Sequence, residues 1–370
     1  MTLEELRSDI PALDAGLYLN YGAHGPSPTS VVNAGQRAFA TQEFDASSQD
    51  PYDYANFIFD TTRQQIAEFV GTQSENIALT ESTTDGINRI ANALPLEQGD
   101  IVVRTDVEHP AGILPWQRLE AKGITVREVE TTRGCIDLDA FQEAVNDAAV
   151  VCFSALTWTH GTMLPVRDLV EIARSAGAFT IVDAVQVPGH RQMNVRDWDA
   201  DVVLAAGHKW LLGPWGAGFM IFRNGIAETL TPSAIGYQSV VDSNAPEITY
   251  KPGALRFEIG STALTPYAGL THAISIIDQI GMETIESQIQ TKTDQLKAGL
   301  PESAVLSPAN FESGLVSLSV DEPERLVAEL ADRDIIIRSI PTIDAIRISV
   351  HAITSTEDIE TVVSTLSEYL

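Results

Sequence analysis

Of five lysines in the chain, Lys209 in "AAGHKWLLGPWGAG" (205–218) alone stands in apolar company, at the end of a β-rich run. Lys122, Lys251, Lys292 and Lys297 sit among polar neighbours, where a solvated ammonium is expected. A lysine between a strand and a glycine turn is either a packed stem with its tip in water or a reactive amine. Three other stretches carry polar groups directly after apolar runs. "FTIVDAVQ" ends its run on Asp183, with Gln186 three residues on. A carboxylate there is costly unless a cation or donors stabilise it, and helix capping is the plainer alternative. "ESTTDGIN" offers the hydroxyls of Ser82, Thr83 and Thr84 at a helix start, which suits a phosphate or serves simply as an N-cap. His109, in the "EHP" that follows "DIVVRTDV", is read either as part of a site or as a surface-turn histidine.

Taken together, a phosphate-binding helix start, a buried carboxylate able to hold a cationic ring nitrogen, an imidazole and a desolvated lysine meet the needs of pyridoxal 5′-phosphate chemistry. Nucleotide folds fit less well. No glycine-rich phosphate motif occurs between a strand and a helix, and "GPWGAG" (213–218) runs into a strand as a turn.

The elements that must position these groups follow from periodicity. Runs at 76–80, 100–104, 123–129, 148–154, 178–184, 201–206 and 218–223 read as strands. Segments of helical period at 83–94, 110–122, 137–147 and 166–177 alternate with them. Such alternation predicts an α/β fold with a mainly parallel seven-stranded sheet and helices on both faces. From about residue 265 the pattern changes to a long helical stretch and then strand, helix, strand, strand, helix, a smaller α+β C-terminal domain. The expected division is a large domain over 16–265 and a small one over 1–15 and 266–370. Ligands of open α/β sheets bind beyond the carboxyl ends of strands, which is where the polar groups fall.

Fifty-one acidic against 23 basic residues give a formal charge of −28, which argues against nucleic acid or anionic membrane partners. With so little lysine, the balance suggests a halophilic source, where salt near 1 M shrinks the Debye length to about 3 Å. No apolar run approaches the roughly 20 residues of a membrane helix. The opening "MTLEELRSDI" is acidic where a signal peptide would be basic and then apolar, so the expected location is cytoplasmic. Cys135 and Cys152 lack metal-site spacing, and no metal is expected.

The ordered set "ESTTDGIN", "EHPAGILPWQ", "SALTWTHGTMLPV", "VDAVQVPGH", "GHKWLLGPWGAGF" and "RFEIGST" resembles the class V aminotransferase family of fold-type I pyridoxal-phosphate enzymes. That family includes cysteine desulfurases and isopenicillin-N-epimerase-like proteins. The resemblance runs from "LYLNYGAHGPSP" (17–28) to "IRISVHAITSTEDIE" (346–360). It implies that Lys209 holds the cofactor as a Schiff base and then moves the α-proton of an amino acid. It implies further that Asp183 pairs with the pyridinium nitrogen, His109 stacks on the ring and Gln186 reaches the ring oxygen. Thr83, Thr84 and His208 would hold the phosphate. Ser261 or Thr262 would reach the phosphate of a partner's cofactor, hence a homodimer with shared active sites. Arg347 would take the substrate carboxylate as a bidentate pair.

Three departures qualify the resemblance. Ala206 stands where many relatives have a phosphate-binding serine, and Trp158 stands where desulfurases commonly carry asparagine. "IIIRSIPTIDAIRIS" passes from strand to strand without the cysteine-bearing loop that desulfurases use to accept sulfur. The expectation is therefore an enzyme that transfers an amino group. Epimerisation and β-lyase or desulfurase chemistry are the alternatives on the same scaffold, and a regulatory protein without turnover is the alternative of another class.

Overall fold

Seven strands build the central sheet: β1 (Ile77–Thr80), β2 (Ile101–Thr105), β3 (Thr125–Val129), β4 (Ala148–Ser154), β5 (Phe179–Asp183), β6 (Val202–Ala206) and β7 (Gly218–Phe222). A computed structural model describes all 370 residues. The strands lie in the order β1-β7-β6-β5-β4-β2-β3. All neighbours run parallel except β7, which is antiparallel to β1 and β6. Every position of β1, β6 and β7 is buried. Sheets covered on both faces leave no room for polar alternation, so such strands are written as unbroken apolar runs.

Successive residues nonetheless feed opposite layers. Val103, Val151, Val182 and Val203 join one apolar cluster, while Val102, Val150, Ile181 and Val202 join another on the opposite face. The helices that cover the sheet include α1 (Thr29–Phe44), α2 (Pro51–Val70), α3 (Thr83–Ala93), α4 (Pro110–Glu120), α5 (Val166–Ser175) and α6 (Leu264–Ile280). Tyr267, Leu270, Ala273, Ile274 and Ile277 of α6 belong to the larger cluster. A third cluster underlies a small antiparallel sheet of β8 (Leu315–Ser319), β9 (Arg338–Ile340) and β10 (Ala345–Ser349), ordered β8-β10-β9.

Several elements differ from the sequence reading. The helices α1 and α2 have no counterpart in it. The long helical stretch beginning near 265 divides into α6 and a second helix, Met282–Ala298, because Gly281 adopts φ 87°, which ends one helix and starts the next. "IIIRSI" also divides. Ile335–Ile336 pairs with Leu17–Tyr18, and only Arg338–Ile340 pairs with β10.

Candidate active site

The polar groups converge beyond the carboxyl ends of β1, β2, β5 and β6, with β9 and β10 facing them. Lys209 stands three residues beyond the end of β6, and its backbone is held by a close approach. Gly25 donates its N–H to the His208 carbonyl at 2.8 Å, and a Cβ on Gly25 would lie 2.0 Å from the Lys209 carbonyl. Just beyond, Leu212 takes φ 56°, a conformation that costs a non-glycine residue about 1 kcal/mol or more. The tight turn therefore presents Lys209 at the expense of local strain. Its ammonium makes no hydrogen bond or ion pair with the chain. Burial pulls the Lys209 pKa down to about 7; Asp183 opposes the fall, while Arg347 and Arg338 add to it.

Asp183 ends β5, buried, with Oδ1 accepting the Val185 N–H at 2.9 Å. No helix begins here, so the capping role weighed for Asp183 is not the one it plays; the bond closes a turn two residues on, and no hydrogen bond engages Oδ2. Desolvation raises its pKa, countered by the Val185 N–H and Lys209. Gln186 is held at both ends: its Nε2 donates to the Gly22 carbonyl at 2.8 Å, and its Oε1 accepts from Trp210 Nε1 at 2.8 Å. One amide hydrogen remains for another acceptor.

His109 is the N-cap of α4, its Nδ1 accepting the Ala111 N–H at 3.2 Å. That bond leaves the proton of the neutral ring on Nε2. Burial, then Lys209 and the two arginines, lower its pKa to about 4, so the imidazole is neutral at ordinary pH. It meets Trp158 edge to face, with centroids 5.4 Å apart. Beneath it lies Glu108, which the sequence reading passed over. Its carboxylate accepts from Thr105 Oγ1 at 2.6 Å, Ser154 N at 3.0 Å and Ser154 Oγ at 2.6 Å. Desolvation lifts it to about 7 despite those donors. Its place beside His109 directly after a strand was the signal.

At the start of α3, Ser82 Oγ accepts the Asp85 N–H at 3.1 Å, so the N-cap is Ser82. The Thr83 hydroxyl is buried without a partner, and Thr84 is exposed in the same turn. His208 stacks on Trp215 with centroids 4.2 Å apart, its pKa lowered to about 3 by burial, then Lys209 and His24.

Arg347, fully buried on β10, donates Nη1 to the Trp158 carbonyl at 2.7 Å, while its Nε and Nη2 have no partner. Arg338, absent from the sequence reading, is its cross-strand neighbour and lies 5.5 Å from the centre of the Trp158 ring. The register of the two strands about "PTID" was the available signal. Ser261 and Thr262 are not brought into this cleft. They are exposed in a separate groove lined by Phe39, Tyr52, Phe59 and Tyr237, where Ser261 Oγ lies 2.5 Å from the Tyr237 hydroxyl.

These residues fit pyridoxal 5′-phosphate. An unpartnered Thr83 hydroxyl at a helix start suits its phosphate. Asp183, with one oxygen unengaged, suits a pyridinium nitrogen, and a lysine with a pKa near 7 suits a carbonyl carbon. When bound, the cofactor supplies an electron sink for a carbanion at the substrate α-carbon.

Comparison with known proteins agrees. A probable cysteine desulfurase of Methanothermobacter thermautotrophicus is 31% identical over 80% of this chain and 76% of its own length. One from Pyrococcus abyssi is 28% identical over 99% of this chain and 97% of its own. The apo cysteine desulfurase of Thermococcus onnurineus superposes with a TM-score of 0.91 at 28% identity, over 100% of this chain and 98% of its own. The cystine C–S lyase C-DES, solved with its product cysteine persulfide, superposes at 0.92 and 25% identity, over 97% of this chain and 99% of its own. The family model for aminotransferase class V matches residues 17–362, and the chain belongs to that family of pyridoxal-phosphate enzymes.

Proposed function

We propose that the chain cleaves the carbon–sulfur bond of a cysteine-class amino acid by β-elimination. The observation that carries this reading is the pairing of an unengaged Lys209 amine with a cleft that offers no sulfur acceptor. β9 and β10 are joined by the short turn Pro341–Asp344, which contains no cysteine. Cys152 is sealed inside β4, with its pKa raised well above the usual thiol range by burial, and Cys135 lies on an exposed hairpin. Elimination needs no protein thiol. Likeness to C–S cleaving relatives favours it over amino-group transfer, the outcome first expected, which uses the same residues.

Each residue then has a task. Arg347 holds the α-carboxylate through Nε and Nη2, side by side on one edge of its guanidinium. Lys209 Nζ takes the α-proton; the pair left on Cα forms the Cα=Cβ bond, and sulfur departs with the bonding pair. With cystine and one water the products are pyruvate, ammonia and cysteine persulfide. Asp183, Gln186 and His109 orient the cofactor ring, and Thr83, Thr84 and His208 hold its phosphate. Ser261 and Thr262 serve the cofactor of a second copy, which their groove covers in a homodimer.

The holoenzyme mixed with L-cystine is expected to release pyruvate and persulfide sulfur in equal amounts, and Lys209→Ala to lose both together with the absorption of the lysine-bound cofactor. Alanine as the carbon product, or conversion of the cofactor to its amine form without sulfur release, would overturn the proposal.

A further inference from the structure

Trp210 follows Lys209 directly in the chain, and its side chain is fully buried. A buried indole needs an acceptor for its single N–H. Nε1 finds one at 2.8 Å in Oε1 of Gln186, the side chain proposed to meet the cofactor ring. The indole is not free to swing away from that bond. Its ring stacks on His190, with centroids 3.6 Å apart and planes 16° from parallel. Its carbonyl accepts His351 Nε2 at 3.2 Å, and Gly189 makes room for it, since a Cβ there would lie 2.6 Å from the carbonyl oxygen. Each histidine is held in one tautomer. His190 Nε2 accepts the Gly314 N–H at 2.7 Å, so its Nδ1 donates to the Gln186 carbonyl at 2.9 Å. His351 Nδ1 accepts the Ile353 N–H at 3.4 Å, which leaves the ring proton on Nε2 for Trp210. Burial lowers the two pKa values to about 3 and about 4, so both rings are neutral at ordinary pH.

The two ends of an amide differ in chemistry, and its partners decide which end points where. An indole N–H only donates, so it takes the oxygen of Gln186. The Gly22 carbonyl only accepts, so it takes Nε2, at 2.8 Å. A reversed amide would set donor against donor and acceptor against acceptor, leaving buried polar groups unmatched. Gly22 alone would fix one hydrogen and leave the amide plane free to turn about that bond; the indole removes the freedom. The second Nε2 hydrogen is then held in one place. We infer that Trp210 is a positioning residue: acting through Oε1, it holds Gln186 with an N–H toward the ring oxygen of the cofactor. This rests on the placement of Gln186 at the ring and not on the fate of the sulfur. A donor on that oxygen stabilises its anion and weakens its hold on the proton it shares with the lysine-bound nitrogen.

The lysine-bound cofactor changes its absorption as that nitrogen loses its proton, and the midpoint pH of the change reports on the ring oxygen. Without the donor the shared proton is held more tightly, so the midpoint rises. Trp210→Phe in the holoenzyme is expected to raise it by about one pH unit, the scale of one hydrogen bond. Trp210→Leu differs in shape and equally lacks an N–H; it should give the same shift, and it decides the question if the phenylalanine variant does not fold. Gln186→Leu should raise the midpoint as far, and adding Trp210→Phe to it should move the midpoint no further, because the indole acts through the amide. A role for Trp210 in packing alone would not produce this pattern. A midpoint that Gln186→Leu moves and neither Trp210 substitution moves would overturn the inference and leave Gln186 at the ring. Shifts that add in the double variant would also overturn it. A midpoint unmoved by Gln186→Leu would take Gln186 away from the ring and the inference with it.

Discussion

Arg63 and Arg347 are both buried, and they live in opposite electrostatic circumstances. Arg63 on α2 meets Glu258 through two parallel bonds, 3.0 Å from Nε and 2.7 Å from Nη2, and meets Asp60 at 2.6 Å. Burial alone would lower its pKa, but Glu258 and Asp60 more than offset that and raise it. For Arg347, burial and Arg338 both act downward, to about 9, with no carboxylate to compensate. A chain with 51 acids can satisfy a buried arginine where it needs one. The pair at Arg63 ties α2 to β1 through Glu258, which also accepts the Leu79 N–H at 2.9 Å. The charge left unsatisfied marks where the protein meets something other than itself.

This contrast can be broken from either side. The largest effect should come from Arg63→Met, which leaves Glu258 buried without its cation. Breaking such a pair costs about 3–5 kcal/mol, read as a lower denaturation midpoint, while kcat/KM of the protein that remains folded changes little. Loss of activity without loss of stability would refute a structural role for Arg63. Arg347→Gln should behave in the opposite way. Its midpoint in the cofactor-free protein should not fall, because an uncompensated charge has gone. Its kcat/KM should fall by about 100- to 1,000-fold, in line with roughly 2–5 kcal/mol for truncating a buried charge contact.

The smallest and most diagnostic effect concerns pH. Cofactor attachment needs the neutral Lys209 amine, and its fraction rises as pH passes upward through about 7. The rate of cofactor uptake by the apoprotein should therefore climb through that value and level off above it. Arg347 is one of the charges lowering the Lys209 pKa, so Arg347→Gln should move the midpoint to higher pH. A midpoint near the ordinary lysine value in the wild type would show that Lys209 is not desolvated as described.

The pattern of legibility follows the same physics. Strands buried on both faces are apolar along nearly their whole length, so β1 and β4 to β7 stand out as runs, whereas the edge strand β3, half exposed, mixes Arg127 and Glu128 with its valines. The amphipathic α5, with Val166, Leu169, Val170 and Ala173 on its buried side, announces itself by spacing. α1 buries only Val31, Gly35 and Ala38 and exposes Val32, Phe39 and Phe44, so its periodicity is blurred. It is recognisable only by what it packs on, chiefly α6. In the site, Asp183 ends a strand and Lys209 and His109 lie just beyond one, so each could be picked out singly. Arg338 could not, since within "IIIRSI" it looks like one more exposed strand residue.

Residue types and order alone thus determined the layered α/β plan, the ends of the strands where ligands gather and the lysine able to anchor a cofactor. Those properties are local, because period, composition and position along a strand are written in neighbouring residues. Tertiary structure decided which charges found partners. Glu258 reaches Arg63 across 195 residues of chain, and the β9–β10 register sets Arg338 against Arg347 with no acid between them. Desolvation and pairing depend on every element packed around a group, and no stretch of sequence contains that sum.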